Sequence, residues 1–154
     1  MPDAVPFHAA DWLNADRSMS LAAFRGRVLV VEVFQMLCPG CVLHGLPQAQ
    51  RIAATFDGGD VAVIGLHSVF EHHAANNRES LAAFLHEWRI RFPVAIDAAG
   101  EGALPRTMAA WGLQGTPTLV LLDRRGAMRA RHFGQVADLA LGAEIAALMA
   151  EARP

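Results

Sequence analysis

The sequence predicts an α/β fold in which helices cover both faces of a mixed β-sheet. Two observations carry this prediction. Short runs of apolar, β-branched residues alternate with helical patterns, as in proteins whose parallel strands are joined by helices. The alternation then closes with two strands joined by a tight turn and one more helix. A three-layer α/β/α sandwich follows from this order of elements.

The length and composition fit one such domain. The chain has 154 residues, of which 53% are hydrophobic and 18% are charged, so a disordered chain is excluded. We expect a single domain over residues 1–154, with an N-terminal extension over residues 1–26 containing a short strand or turn, and a core over residues 27–152. The formal net charge is -2, which predicts neither nucleic acid nor an anionic membrane as a partner.

The first elements surround a buried strand. Ser20 is placed to cap a short helical turn that Gly26 ends. Residues 27–34 form a nearly continuous apolar run, which predicts a strand buried on both faces. A helical pattern then reaches about Phe56 and stops before a pair of glycines.

The middle of the chain adds another strand, helix and strand. Residues 61–66 are an apolar run typical of a second buried strand. Asn76 and Asn77 precede a helix expected over about residues 78–90, which places its apolar side chains on one face. Residues 92–96 predict a short strand before a glycine-rich loop.

The last part of the chain closes the sheet. A brief helix that carries Met108 comes before a strand at residues 118–122. The Asp-Arg-Arg-Gly sequence at 123–126 is typical of a tight turn and leads to a partner strand at about residues 127–133. An amphipathic helix over about residues 138–150 ends the fold.

The motif that carries chemistry is Cys38-Pro39-Gly40-Cys41, which directly follows a buried strand and opens a helix. In this context two cysteines three residues apart predict a redox-active dithiol. Free backbone N–H groups at the start of a helix stabilise a thiolate, which makes Cys38 the attacking sulfur. Cys41 is expected to be less exposed and to resolve a mixed disulfide. Pro39 fits the first helical turn, where a missing N–H costs nothing.

An acidic residue interrupts the strand that leads to this motif. Glu32 lies six residues before Cys38, so its carboxyl can reach beneath the cysteine loop. A buried carboxyl with a raised pKa could accept the proton of Cys41 during resolution. The alternative is an acid near the strand end that pairs with an arginine such as Arg27.

A proline stands directly before the strand at residues 118–122. A cis Thr116–Pro117 bond would bring the backbone of Thr116 beside the cysteine loop, where it could pair with a substrate chain. The expected surroundings of Cys38 are mostly apolar and suit an extended peptide. The residues expected to bind substrate are Leu37, Pro39, Gly40 and Thr116.

Together these residues resemble the thioredoxin superfamily, specifically its TlpA/ResA-like thiol–disulfide oxidoreductases. The resemblance covers about residues 5–152. It implies a thioredoxin-like fold, a buried acid at Glu32, redox cysteines at Cys38 and Cys41, and a cis-proline at Pro117. The motifs that carry it are Glu32, the two cysteines, the Gly115-Thr116-Pro117-Thr118 loop and the turn over residues 121–126.

The resemblance also implies an insert and shows local departures. About 76 residues separate Cys41 from Pro117, and the surplus over a minimal thioredoxin is similar to the strand–helix insert of this branch. Leu37 stands where an aromatic residue is usual, and the Pro-Gly pair between the cysteines is unusual. Pro47 follows Cys41 by six residues instead of five, so we expect the helix kink or its register to differ locally.

Three functions remain open from the sequence. The leading one is dithiol–disulfide exchange that reduces protein or small-molecule disulfides with electrons from a thiol donor, without a cofactor or a metal. A peroxiredoxin-like peroxidase would oxidise Cys38 to a sulfenic acid, but Gln35 stands where such enzymes carry Thr or Ser. A metal chaperone or sensor would bind copper or zinc through both cysteines and a histidine such as His44. His132 lies far downstream, as a histidine does in copper chaperones with a thioredoxin fold, but its expected position on the second hairpin strand does not match theirs.

The N-terminal sequence bears on the compartment. It has neither a basic segment nor an apolar segment of the kind that signal peptides carry, and no apolar run reaches the roughly 20 residues of a membrane span. We therefore expect a soluble, cytoplasmic protein, or a periplasmic one if the chain is truncated, because TlpA-like members are commonly exported.

Overall fold

A six-stranded mixed sheet forms the middle layer of the computed structural model, which describes residues 4–154. The first three residues of the predicted N-terminal extension lie outside the described residues. In chain order the strands are β1 (Ala9–Leu13), β2 (Val28–Phe34), β3 (Val61–His67), β4 (Val94–Asp97), β5 (Thr118–Leu122) and β6 (Met128–Phe133). Across the sheet they lie in the order β1-β4-β3-β2-β5-β6.

Four α-helices and two short helical turns connect these strands. The turns are a 3₁₀ turn at Leu21–Phe24 and a π-helical turn at Cys41–Gly45, which runs directly into the first α-helix. The α-helices are α1 (Leu46–Thr55), α2 (Arg78–Glu87), α3 (Arg106–Ala110) and α4 (Asp138–Met149).

The central strand β2 is parallel to β3 and antiparallel to β5. Every residue of β2, β3 and β5 is buried, which explains why apolar and β-branched residues dominate these runs. Because β2 and β3 are parallel and in register, their carboxyl ends meet at one edge, where Phe34 pairs with His67. The start of β5 lies at the same edge, since Val33 pairs with Thr118.

Alternate side chains of β2 pack against different helical layers. Leu29, Val31 and Val33 point to the face covered by α3 and the 3₁₀ turn. Val28 and Val30 point to the opposite face, where they pack against α1 and α4. Helix α2 lies on this second face as well, since its buried leucines share a cluster with Leu46 of α1. The predicted α/β/α sandwich is confirmed.

The ends of the helices show where local sequence signals predicted the structure and where they did not. Asn77 caps α2 by accepting a hydrogen bond from the Ser80 N–H at 2.9 Å. The helix ends at Glu87, earlier than predicted, because the backbone of Arg89 turns to a positive φ of 56°. Ser20 makes no side-chain capping bond, so its predicted capping role is wrong.

Within residues 4–154, no helix has both the length and the apolar character that a membrane span requires.

Candidate active site

The two cysteines lie at the edge of the sheet where β2 ends. Cys38 is partly exposed, whereas Cys41 is completely buried at the start of the π-helical turn. The backbone N–H of Cys41 donates a hydrogen bond to Cys38 Sγ at 3.3 Å. Cys38 is therefore the more accessible of the two cysteines, and its sulfur accepts a backbone hydrogen bond.

Cys41 has the opposite character. Burial raises the pKa of the Cys41 thiol above its ordinary value, and its hydrogen bond with Cys38 raises it further. The backbone N–H of Gln35 works against this shift but does not reverse it. At neutral pH Cys41 therefore keeps its proton, and a base must remove that proton before Cys41 can attack a disulfide.

Glu32 is the only acidic residue of β2, and its side chain is 1% exposed. It points to the α1 face of the sheet, as Val30 and Phe34 do. Among residues 4–154, Glu32 Oε1 has no hydrogen-bond partner. Burial raises the pKa of Glu32 well above its ordinary value, and a negative charge on Cys38 adds to the increase.

The alternative ion pair between Glu32 and Arg27 is not present. The Arg27 guanidinium donates to the carbonyl oxygen of Ala23 at 3.3 Å and lies over the ring of Phe24, 5.3 Å from its centroid. The carboxyl of Glu32 is thus a buried acid without a countercharge from this arginine, which is the environment that makes a carboxyl basic enough to accept protons near neutral pH.

The π-helical turn explains the unusual spacing between Cys41 and Pro47. The N–H of Leu46 bonds to the carbonyl oxygen of Cys41, five residues back, instead of the four typical of an α-helix. The turn absorbs one extra residue and lets Pro47 enter the first turn of α1. The predicted local change of helix register is confirmed.

A second loop reaches the cysteines from the start of β5. The Thr116–Pro117 bond is cis, as the resemblance implies. The carbonyl oxygen of Thr116 lies 3.5 Å from Cys38 Sγ and accepts its hydrogen bond. A side chain at Gly40 would place its Cβ 3.0 Å from Pro117 Cδ, so the glycine permits this close approach.

The predicted substrate-binding residues surround Cys38 as a mostly apolar surface. Leu37 is 59% exposed, Pro39 is exposed, and Gly40 and Thr116 are partly exposed. Sequence reasoning missed two further apolar side chains at this edge. Leu43, in the π-helical turn, is 68% exposed, and Phe133, at the end of β6, is 59% exposed.

Leu43 also lines a groove beside the cysteines with a volume of about 290 Å³. One wall is the π-helical turn and α1, and the other is the segment between β6 and α4. The sequence placed Leu43 within a helical pattern and did not indicate that its side chain would be exposed. The lining residues are Leu43, His44, Gln48, Arg51, Gln135, Val136, Ala137 and Asp138.

The residues considered for other functions are engaged elsewhere. Gln35, at the position that weighs against a peroxidase, accepts hydrogen bonds from the N–H groups of Phe70 and Glu71 at 3.0 and 3.1 Å. His132 Nε2 lies 2.8 Å from Glu144 Oε2. Across the described part of the chain, no three His, Cys, Asp or Glu side chains come close enough together to hold a metal ion, and His44 is exposed.

His67 is a buried histidine at the end of β3. Its ring lies 5.2 Å from that of Phe34, and burial lowers its pKa from 6.5 to about 4. The Nε2 atom has no hydrogen-bond partner within residues 4–154. His67 is therefore a neutral core side chain at neutral pH.

Comparisons with known proteins agree with this site. No protein-family model matches the chain, and no curated protein does. Among solved structures, a thioredoxin-like superfamily protein shares 55% identity and a TM-score of 0.96, with 100% of both chains covered. A thiol-disulfide isomerase from Corynebacterium glutamicum shares 47% identity and a TM-score of 0.93 over 98% of both chains. A structure described as thiol:disulfide interchange protein DsbE, from Chlorobium tepidum, shares 23% identity, a TM-score of 0.76 and 96% of both chains, and so shows the fold alone.

Proposed function

The chain belongs to the thioredoxin-like superfamily and is a thiol–disulfide oxidoreductase; on that premise we propose that it reduces disulfide bonds in proteins or small molecules. The observation that carries this proposal is the contrast between the two sulfurs. Cys38 is reachable and receives an N–H hydrogen bond, whereas Cys41 is buried and keeps its proton. One sulfur is thus suited to attack a substrate and the other to resolve the product.

The reaction runs in two exchanges. The Cys38 thiolate attacks one sulfur of the substrate disulfide, forms a mixed disulfide and expels the other sulfur as a thiolate. The Glu32 carboxylate takes the proton of Cys41, whose thiolate attacks Cys38 Sγ and releases the second substrate thiolate. The substrate gains two electrons and leaves as two thiolates, which take up the proton passed on by Glu32 and one proton from solvent; the two cysteines become a disulfide, and a thiol donor reduces it again.

The electrostatics of the site support the timing of proton transfer. A negative charge on Cys38 is one of the two causes that raise the pKa of Glu32. That charge disappears when Cys38 enters the mixed disulfide, so the pKa of Glu32 falls at this step. The carboxylate form of Glu32, which accepts the proton of Cys41, is therefore more populated in the mixed disulfide than before it, although burial still holds the pKa of Glu32 above its ordinary value.

We propose that the exposed surface around Cys38 binds an extended substrate segment. Leu37 and Pro39 offer apolar contacts, and Thr116 offers backbone groups beside Pro117. This arrangement fits a peptide that lies across the Thr116–Pro117 loop with its disulfide over Cys38. A cytoplasmic location stays a prediction.

The experiment that tests the proposal replaces Cys41. In Cys41→Ser the first exchange can occur but the second cannot, so mixed disulfides through Cys38 should accumulate with a disulfide-bearing substrate and disappear on adding dithiothreitol. Non-reducing gels and intact mass measure them, with Cys38→Ser as the matched control that forms none. If Cys41→Ser accumulates no mixed disulfide while the wild type consumes peroxide with a thiol donor, the protein is a peroxidase and the proposal is wrong.

A further inference from the structure

We infer that Gly45 is a positioning residue for the buried acid: the absence of a side chain at this position in the π-helical turn leaves the space that the Glu32 carboxyl occupies. The inference rests on the proposed function and deepens it, because it says what holds the proton acceptor in place. Gly45 ends the π-helical turn and is buried.

The contact between the two residues is direct. A Cβ built on Gly45 would overlap Glu32 Oε1 and would lie 3.1 Å from Glu32 Cδ. The same Cβ would lie 3.0 Å from Pro117 Cβ. Even alanine at position 45 therefore requires the carboxyl to move, and the close approach to Pro117 Cβ restricts how far the alanine itself can shift away.

Packing against Gly45 limits where Glu32 Oε1 can lie. Within residues 4–154 no hydrogen-bond partner fixes this oxygen, and the side chain is 1% exposed. The space left at Gly45 is consequently what allows Oε1 to occupy its position. A buried polar atom without a partner costs free energy, and such costs persist where the atom has a chemical role.

The π-helical turn brings this space close to Cys41. Residues four apart on a helix face the same way, with Cβ atoms about 5–6 Å apart. Cys41 and Gly45 are four apart in one helical turn, and the Glu32 carboxyl fills the place of the missing Cβ. The carboxyl thus lies about one helical turn from the Cys41 side chain, within reach of its proton directly or through one water.

The test is Gly45→Ala, read through the two phases of reaction with the aromatic disulfide 5,5′-dithiobis(2-nitrobenzoate). The first release of thionitrobenzoate reports attack by Cys38, and the second reports resolution by Cys41. We expect the first phase to be unchanged and the second to slow by about 100-fold near neutral pH, in the range that a positioned general base contributes. The pH profile of the second phase should also lose the inflection that belongs to Glu32.

Three further variants distinguish the loss of Glu32 positioning from general structural damage. Gly142→Ala, in α4, adds a Cβ that meets nothing within 4 Å and should leave both phases unchanged. Glu32→Ala/Gly45→Ala removes the overlapping carboxyl, so it should recover the folding stability that Gly45→Ala loses. In the Glu32→Gln background, Gly45→Ala should cause no additional loss in the second phase.

The possible results separate a failure of the proposed function from a failure of the inference about Gly45. If the wild type gives only one thionitrobenzoate and no disulfide, the proposed function fails. If the wild type completes both phases and Gly45→Ala keeps the same rates and pH profile, the function stands and the inference about Gly45 is overturned. The inference would also be overturned if Gly45→Ala slowed the second phase as much in the Glu32→Gln background as in the wild type.

Discussion

Glu32 and His67 should act on the pH dependence of folding stability in opposite directions, and replacing Glu32 by Gln should reveal the difference. Glu32 has a raised pKa in the folded protein, so above its ordinary value of about 4.5 the unfolded chain loses this proton while the folded chain keeps it. The contribution of Glu32 to the free energy of unfolding is therefore complete below pH 4.5. It falls as pH rises towards the pKa of the folded protein, by up to about 1.4 kcal/mol per pH unit.

His67 has the opposite sign. Burial lowers its pKa from 6.5 to about 4 in the folded protein, so between these values the unfolded chain binds a proton that the folded chain does not. The contribution of His67 to the free energy of unfolding is complete above pH 6.5. It is lost as pH falls from 6.5 to about 4, by about 3 kcal/mol in total. From pH 4.5 upward the two groups oppose each other, since the contribution of Glu32 to stability falls with rising pH while that of His67 increases up to pH 6.5.

The assay is urea unfolding of the reduced protein, followed by tryptophan fluorescence at a series of pH values. Between pH 4.5 and 6.5, Glu32→Gln should gain stability with rising pH by about 1.4 kcal/mol per unit, because only His67 still acts there. Above pH 4.5 the stability of the wild type should rise less with pH than that of the variant, because Glu32 in the wild type opposes the gain from His67. The difference between the two curves isolates Glu32, since all other groups are common to both.

The matched variant is His67→Gln, whose stability should fall with rising pH from about 4.5, since Glu32 alone then contributes. A constant offset from the loss of packing does not affect either slope. Parallel curves for the wild type and Glu32→Gln across the whole range would mean that Glu32 does not titrate above its ordinary range, and the account of Glu32 as a proton acceptor would be refuted.

Two other substitutions test the surface and the insert. Leu37→Ala should raise KM for a disulfide-bearing peptide several-fold while leaving the reaction with a small aromatic disulfide unchanged, because only the peptide needs the apolar contact; equal effects on both substrates would contradict the binding surface. Asn77→Ala removes the side chain that accepts the Ser80 N–H and should lower the free energy of unfolding by about 0.5–2 kcal/mol, measured by urea unfolding, with exchange activity retained.

Much of the sheet could be predicted because its strands are buried on both faces. Residues 118–122 were predicted as a strand and match β5 at both ends, and β2 differs from its prediction by one residue. Within Val28–Phe34 Glu32 is the only polar residue, so it was conspicuous. A fully buried acid next to a cysteine pair is unfavourable unless it has a chemical role, which made Glu32 recognisable from the sequence.

The arrangement around that acid could not be predicted. The six-residue spacing of Cys41 and Pro47 indicated a change of register, but a π-helical turn, a kink and a shifted helix start all accommodate one extra residue. Gly45 gave no signal, since a glycine inside a helical pattern has many explanations. The exposure of Leu43 depends on the same turn, because the π-helical geometry changes which side chains face the core.

The most direct test of the central claim is a redox titration of Cys38 and Cys41 in dithiothreitol or glutathione buffers, read by alkylation of free thiols. We expect an intramolecular disulfide between the two cysteines, with a midpoint potential near or below about -250 mV, as in reducing members of the superfamily. A midpoint between about -120 and -180 mV would contradict the reductive direction and indicate an oxidant or isomerase. If the two cysteines form no disulfide at any potential, dithiol–disulfide exchange is not the activity of this site.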